Sequence, residues 1–185
     1  MKESISTKVI IRDTLQKLLE GKNYAEISMK EIAEKANVGR RTLYRYFGTK
    51  DDIVRFMADS VMDEFADALL LQKAENLEDT TNVYFSFWEK NAEVFRCLDQ
   101  SHLLHYIEDH LSEYIMRVAL KTKMKDMNME PGQIISMMPK ERIYDFYFTI
   151  AGYWELTKRW MREENRSTPE EISRLVVKIM TEKQI

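Results

Sequence analysis

Cysteine occurs once in the 185 residues, at Cys97, so no disulfide can close within the chain. Proline (3) and glycine (5) are too scarce to punctuate a turn-rich β architecture, whereas Met, Leu, Lys and Glu abound. The longest apolar run, Ala68 to Leu71, falls far short of the ~20 residues that cross a bilayer. The opening Met1-Lys2-Glu3-Ser4 carries no apolar segment of the kind found in signal peptides. These absences point to an all-α chain in a reducing cytoplasm. What is present, 44% hydrophobic and 32% charged residues, suffices for a buried core.

Net charge is −3, unevenly spread. Residues 1–50 hold 11 Lys and Arg against 6 Asp and Glu, and the remainder holds 17 against 25. A basic head on an acidic body suggests that the head meets a polyanion; chance variation of the surface is the competing explanation.

Helical spacing of Ile11, Leu15, Leu18 and Leu19 predicts a first helix over about 6–20, stopped by Gly21. Ser28 and Glu31 form a capping-box pattern ahead of a short second helix, and Asn37 suits a left-handed helix end with Val38 packing back. A third short helix is expected over 40–47, and Thr49 caps a fourth carrying Ile53, Met57, Val61, Phe65 and Leu69 at four-residue steps. After a polar break at 72–80, two shorter helices follow, around 83–88 and 94–98. Ser101 is expected to open a longer helix striped by Leu104, Ile107, Leu111, Tyr114 and Val118, ending in Lys121–Lys125. A loop is expected at 126–139, then a helix lined by Ile143, Phe146, Ile150, Trp154, Thr157 and Met161. A last helix is capped by Thr168 and Glu171 and striped by Ile172, Leu175, Val176 and Ile179.

Two short helices joined by a tight turn, between a leading helix and a long following one, make the helix-turn-helix plan. The run from Ile32-Ala33 through Asn37-Val38-Gly39 and Leu43-Tyr44-Arg45-Tyr46-Phe47 to Lys50 closely resembles the TetR/AcrR family signature over about residues 7–55. Asn37 stands where Gly is usual, and Gly39 where a capping Ser or Thr is common. The stretch 152–160 followed by Ser167-Thr168-Pro169-Glu170-Glu171 more loosely resembles the end of one large TetR branch.

At about 100° per residue, Leu43 and Phe47 share the buried side of the third helix. Arg41, Thr42 and Arg45 then point outward, flanked by Arg40 and Tyr44 on one side and Tyr46 on the other. Arg forks onto guanine O6 and N7, Tyr hydroxyls suit phosphate oxygens, and Lys50 adds charge at the start of the fourth helix. The resemblance implies DNA contact at the positions of Ser28, Lys30, Arg40, Thr42, Tyr44, Tyr46 and Lys50. The competing reading is a solvated basic helix.

His102, His105 and His110 share one helix but do not converge on a metal, and Cys97 reads as buried filler. No nucleophile triad, carboxylate pair or phosphate loop stands out, so no catalytic residue, cofactor or metal is expected. The aromatic-rich body is mostly core. The resemblance implies a cavity for a small effector, with Phe65, Phe85, Trp88, His105 and Tyr147 as candidate lining. It also implies a homodimer, for which Ile150, Trp154, Leu175, Val176 and Ile179 are candidate interface residues. The expected organisation is a DNA-binding head, 1–50, and an effector-binding and dimerisation body, 51–185. The expected function is repression from a palindromic operator. The alternatives are a regulator or coactivator that answers to a protein partner, and a helical ligand-binding protein that does not bind DNA.

Overall fold

The computed structural model describes residues 2–72, 76–109, 111–112, 114–115 and 136–182, with side chains from Ser6 onward. Every described element is helical. In chain order they are α1 (Lys2–Leu19), a 3-10 turn (Tyr24–Glu26), α2 (Met29–Lys35), α3 (Arg40–Tyr46), α4 (Lys50–Leu71), α5 (Leu77–Lys90) and α6 (Ala92–Gln100). Helical residues 105–109, 111–112 and 114–115 follow, then α7 (Lys140–Arg162) and α8 (Pro169–Glu182). The expected stripe residue Val118, the lysine-rich 121–125, most of the expected loop (126–135) and His110 lie outside the described residues. Among the described residues no helix is long and apolar enough to cross a membrane.

The chain forms two compact units, Met1–Val61 with Glu93–Ile107, and Met62–Ala92 with Glu108–Ile185. The division passes through α4.

In the first unit, Ile11, Leu15 and Leu19 of α1 are buried with Ile32 and Ala33 of α2, Leu43 of α3 and Ile53, Val54 and Met57 of α4. Local chemistry sets where these helices stop. Ala36 closes α2, Asn37 takes φ 53°, its N–H reaches the Glu34 carbonyl at 3.2 Å, and the Val38 N–H reaches that of Ala33 at 3.0 Å. That pair of bonds is a Schellman motif, here with Asn instead of Gly in the left-handed position. The same motif ends α6, with His102 at φ 58° and Leu103 N–H on the Leu98 carbonyl at 2.8 Å. The helix expected to open at Ser101 therefore begins later, because 101–103 are spent on this stop.

Two further boundaries differ from the pattern-based expectation. The α4–α5 break is shorter than 72–80, because the Asn76 side chain accepts from the Asp79 N–H at 2.9 Å and starts α5 beside Glu78 and Asp79. The α2 box is half-formed. Ser28 Oγ accepts from the Glu31 N–H at 3.1 Å, but the Glu31 carboxylate pairs with Lys22 from the preceding loop. The boxes of α4 and α8 are complete: Thr49 N–H donates to Asp52 at 2.8 Å and Thr168 N–H to Glu171 at 2.8 Å, each answered by the return bond.

In the second unit α5 is central and packs against both α7 and α8. Thr81, Val83, Tyr84, Phe85, Phe87 and Trp88 are all buried, more than a single stripe, as befits a helix covered on several sides. Trp88 meets Trp154 at 5.4 Å between centroids and Phe85 meets Trp160 edge-on at 5.4 Å. Buried hydroxyls are satisfied across helices: Thr157 Oγ1 lies 2.8 Å from the Tyr84 hydroxyl, and Ser173 Oγ lies 3.3 Å from the Thr81 carbonyl. Arg166 forks onto Glu89 with two bonds of 2.9 Å, fixing the turn before α8.

Candidate nucleic-acid interface

The Schellman stop on α2 and the extended Gly39 that follows aim α3 as a separate short helix. Gly39 supplies no side-chain cap, as its identity requires. Leu43 and Phe47 are buried, while Arg40, Arg41, Tyr44 and Arg45 are exposed and Thr42 and Tyr46 half-buried. The seven-residue helix thus buries one line of side chains and leaves three guanidinium groups outward.

Arg40 and Arg41 have neither an ion-pair nor a hydrogen-bond partner among the described residues. Arg45 lies against Tyr46, its Cζ 4.9 Å from the ring centroid and its Nη2 3.3 Å from the hydroxyl. Lys30 stands 3.9 Å from Glu34, both well exposed, a weak contact that a phosphate displaces easily. Ser28 spends its hydroxyl oxygen on the α2 cap.

Lys50 is half-buried, its Nζ donating to the Tyr24 carbonyl and resting 4.3 Å from the Tyr24 ring centroid. Tyr24 in turn donates its hydroxyl to Asp51. Burial first, then that carboxylate, pushes the Tyr24 hydroxyl well above the ordinary phenol range, so it remains a donor. Phe47 and Phe56 pack at 5.7 Å with the Lys8 ammonium over both rings, at 5.9 and 5.5 Å. The basic outer face therefore stands on a tied base.

Residues 11–56 match the family model for bacterial regulatory proteins of the tetR family, and residues 75–182 match one for a transcriptional regulator C-terminal region. The chain belongs to the TetR family. Residues 11–56 are thus the family's helix-turn-helix head, and residues 75–182 match a regulator C-terminal region.

The uncharacterized HTH-type transcriptional regulator YxbF of Bacillus subtilis is 25% identical over 191 residues, covering 97% of this chain and 46% of that protein. The HTH-type transcriptional regulator EthR of Mycobacterium tuberculosis is 34% identical over 82 residues, covering 44% of this chain and 37% of EthR. The chain spans less than half the length of these curated relatives. A TetR transcriptional regulator from Streptococcus agalactiae 2603V shares the fold, with TM-score 0.64 and 17% identity over 96% of this chain and 95% of that one. The dihydroxyacetone kinase operon activator DhaS does so at TM-score 0.63 and 15% identity, over 97% and 96%.

Within the second unit of this TetR-family chain lies an apolar cavity of about 150 Å³, lined by Phe65, Leu69, Leu77, Tyr84, Ile150 and Tyr153 among others. Of the candidate lining residues, Phe65 is on its wall. Phe85 and Trp88 are buried in the aromatic cluster and are not on that wall; Tyr147 is 48% exposed. His105 is exposed and belongs to the first unit, its Nδ1 3.1 Å from the His102 carbonyl. The expected pocket set is therefore not one cluster.

Of the candidate interface residues, Ile150, Trp154 and Val176 are buried within the subunit, whereas Leu175 (52%) and Ile179 (37%) are exposed. Pattern reading missed Tyr24, Asp51 and Leu77. Tyr24 and Asp51 are 27 residues apart and neither lies on an apolar stripe, so periodicity gave no signal for them.

Cys97 is buried, its Sγ 3.5 Å from the Gln16 carbonyl, and burial followed by the nearby Glu20 carboxylate pushes the thiol up to about 11. Among the described residues no group of three or more His, Cys, Asp or Glu is placed to hold a metal.

Proposed function

We propose that this regulator works as a homodimer on a palindromic operator, reads base edges with Arg41 and Arg45, and represses until a small apolar effector occupies the second-unit cavity. The observation that carries the DNA-reading part is the outward face of α3, where Arg40 and Arg41 have no partner among the described residues and stand above a buried Leu43. Three guanidinium groups on seven residues repel one another in the free protein and are relieved by a polyanion. Ser28, Lys30, Thr42, Tyr44, Tyr46 and Lys50 complete the contact as phosphate or base partners. Such a protein acts in the compartment that holds the DNA.

The dimer is supported by apolar side chains left outside. On α7, Tyr144 and Phe148 are exposed one turn apart, followed by exposed Ala151 and Gly152, where an added Cβ meets nothing within 4 Å. On α8, Leu175 and Ile179 are exposed at the same four-residue step. Two such helices from each of two subunits make a four-helix interface. Buried Ile150, Trp154 and Val176 support that interface from beneath instead of touching the partner.

A cavity of about 150 Å³ suits a benzene-sized molecule and is below the ~300 Å³ of common ligand pockets. That size favours a second reading, in which Tyr144, Tyr147 and Phe148 receive a partner protein and the cavity stays empty. Direction is likewise open to test: DhaS, whose fold this chain shares, is named an operon activator.

The experiment selects duplexes from a randomised pool with the purified protein, places the winner before a reporter gene, and scores expression with and without the regulator. Small apolar compounds are then screened for release of the duplex. Repression relieved by such a compound supports the proposal. Release only by a protein transfers the role to the second reading, and activation overturns the repressor role alone.

A further inference from the structure

Lysine at the start of a helix ordinarily wanders, because four side-chain rotors spread its ammonium over many positions. Lys50 does not. One N–H is spent on the Tyr24 carbonyl, and the ammonium lies 4.3 Å from the centroid of the Tyr24 ring. Two of its three N–H donors are left for a phosphate. The seat holds only as long as the Tyr24 ring is held, and the ring is held by its hydroxyl bond to Asp51 Oδ1.

A second tyrosine lies nearby: burial and then the Asp51 charge raise the Tyr106 hydroxyl above the ordinary phenol range, and the Arg55 guanidinium lies 5.7 Å from the Tyr106 ring centroid. All of these residues belong to the first unit, although Tyr106 is separated from Lys50 by more than fifty positions of chain. An acid beside a DNA-facing lysine otherwise works against binding, since its charge repels the backbone. Its presence beside Tyr24 has a geometric use.

We propose that Asp51 is a positioning residue for the phosphate contact of Lys50: by accepting from the Tyr24 hydroxyl, it locks the ring on which the Lys50 ammonium rests. The inference depends on the reading that Lys50 meets a phosphate. Prepaying the rotamer entropy of one long side chain is worth roughly two- to tenfold in affinity.

The test measures affinity for a selected operator duplex across a salt series, with the full chain and four variants. Lys50→Ala is expected to lower the slope of log K against log salt by about 0.9, one phosphate contact. Tyr24→Phe keeps the ring and loses the anchor, and is expected to weaken binding roughly two- to tenfold while thermal unfolding stays near wild type. In a Tyr24→Phe/Lys50→Ala double variant the tyrosine change should add nothing, because its effect runs through the lysine. Asp51→Ala separates the roles by sign: positioning predicts weaker binding, whereas a merely repulsive carboxylate predicts tighter binding. Tighter binding by Asp51→Ala, or an undiminished Tyr24→Phe effect without Lys50, overturns the positioning role alone. An unchanged slope and affinity in Lys50→Ala removes the phosphate contact itself, and the positioning role with it.

Discussion

Side chains on α3 divide by exposure, and under the proposed DNA-reading role the division makes different predictions for neighbouring residues. Arg41→Ala or Arg45→Ala is expected to cost about 1–3 kcal/mol on the preferred operator and little on random duplex, because a bidentate base contact is lost. Comparing the two duplexes in one titration checks this; equal losses on both would make these arginines phosphate contacts. A backbone test concerns Asn37, whose φ of 53° is tolerated by Asn and preferred by Gly. Asn37→Ala should destabilise by about 1–2 kcal/mol in denaturant unfolding while Asn37→Gly stays near neutral. Both features were legible in the sequence: Leu43 and Phe47 recur at the helical period, and Asn before Val is a helix-stop signal. The Tyr24–Asp51 bond was not, because nothing local links positions 27 residues apart. The Glu31 carboxylate was misassigned for a related reason, a loop lysine outcompeting the backbone N–H that the capping pattern implies.

Among the elements, α8 shows how far a stripe carries. Ile172, Leu175, Val176 and Ile179 were legible as one apolar face, yet α5 covers only part of it, leaving Ile172 and Val176 buried and Leu175 and Ile179 outside. Sequence periodicity cannot say which edge of a wide stripe a neighbour covers. Ile172→Ala is accordingly expected to cost about 2–5 kcal/mol of stability by urea unfolding. A Leu175→Glu/Ile179→Glu variant should instead keep its fold and sediment as a monomer at micromolar concentration, where wild type is expected to sediment as a dimer; an unaltered dimer would place the interface elsewhere. The α4 cap has a pH signature. The Thr49 N–H and then its hydroxyl hold the Asp52 carboxyl below the usual range, with Arg55 assisting. The cap's contribution is therefore complete above the unfolded carboxylate pKa of about 3.9 and is lost as pH falls through the lower folded value. Amide shifts of Thr49 followed down an acid titration should move only below about pH 4.

For the molecule as a whole, charge asymmetry, the head motif and the all-α class were legible because they depend on composition and short-range pattern. The second unit's pocket was not: it is shaped by which aromatic rings pair with each other, and Phe85 and Trp88 were drawn into the ring cluster instead of the cavity wall. If a small effector governs operator affinity, linkage requires operator to weaken effector binding by the same factor, about 5- to 150-fold for a coupling of 1–3 kcal/mol. The central claim, that α3 reads DNA sequence, is tested most directly by titrating wild type and Arg41→Ala with a selected duplex and its scrambled counterpart at several salt concentrations. The account predicts that wild type prefers the selected duplex by about 10³-fold or more, with both affinities falling as salt rises, and that Arg41→Ala loses much of the preference while keeping most of the salt slope. Equal affinity of wild type for the two duplexes at every salt concentration would contradict it.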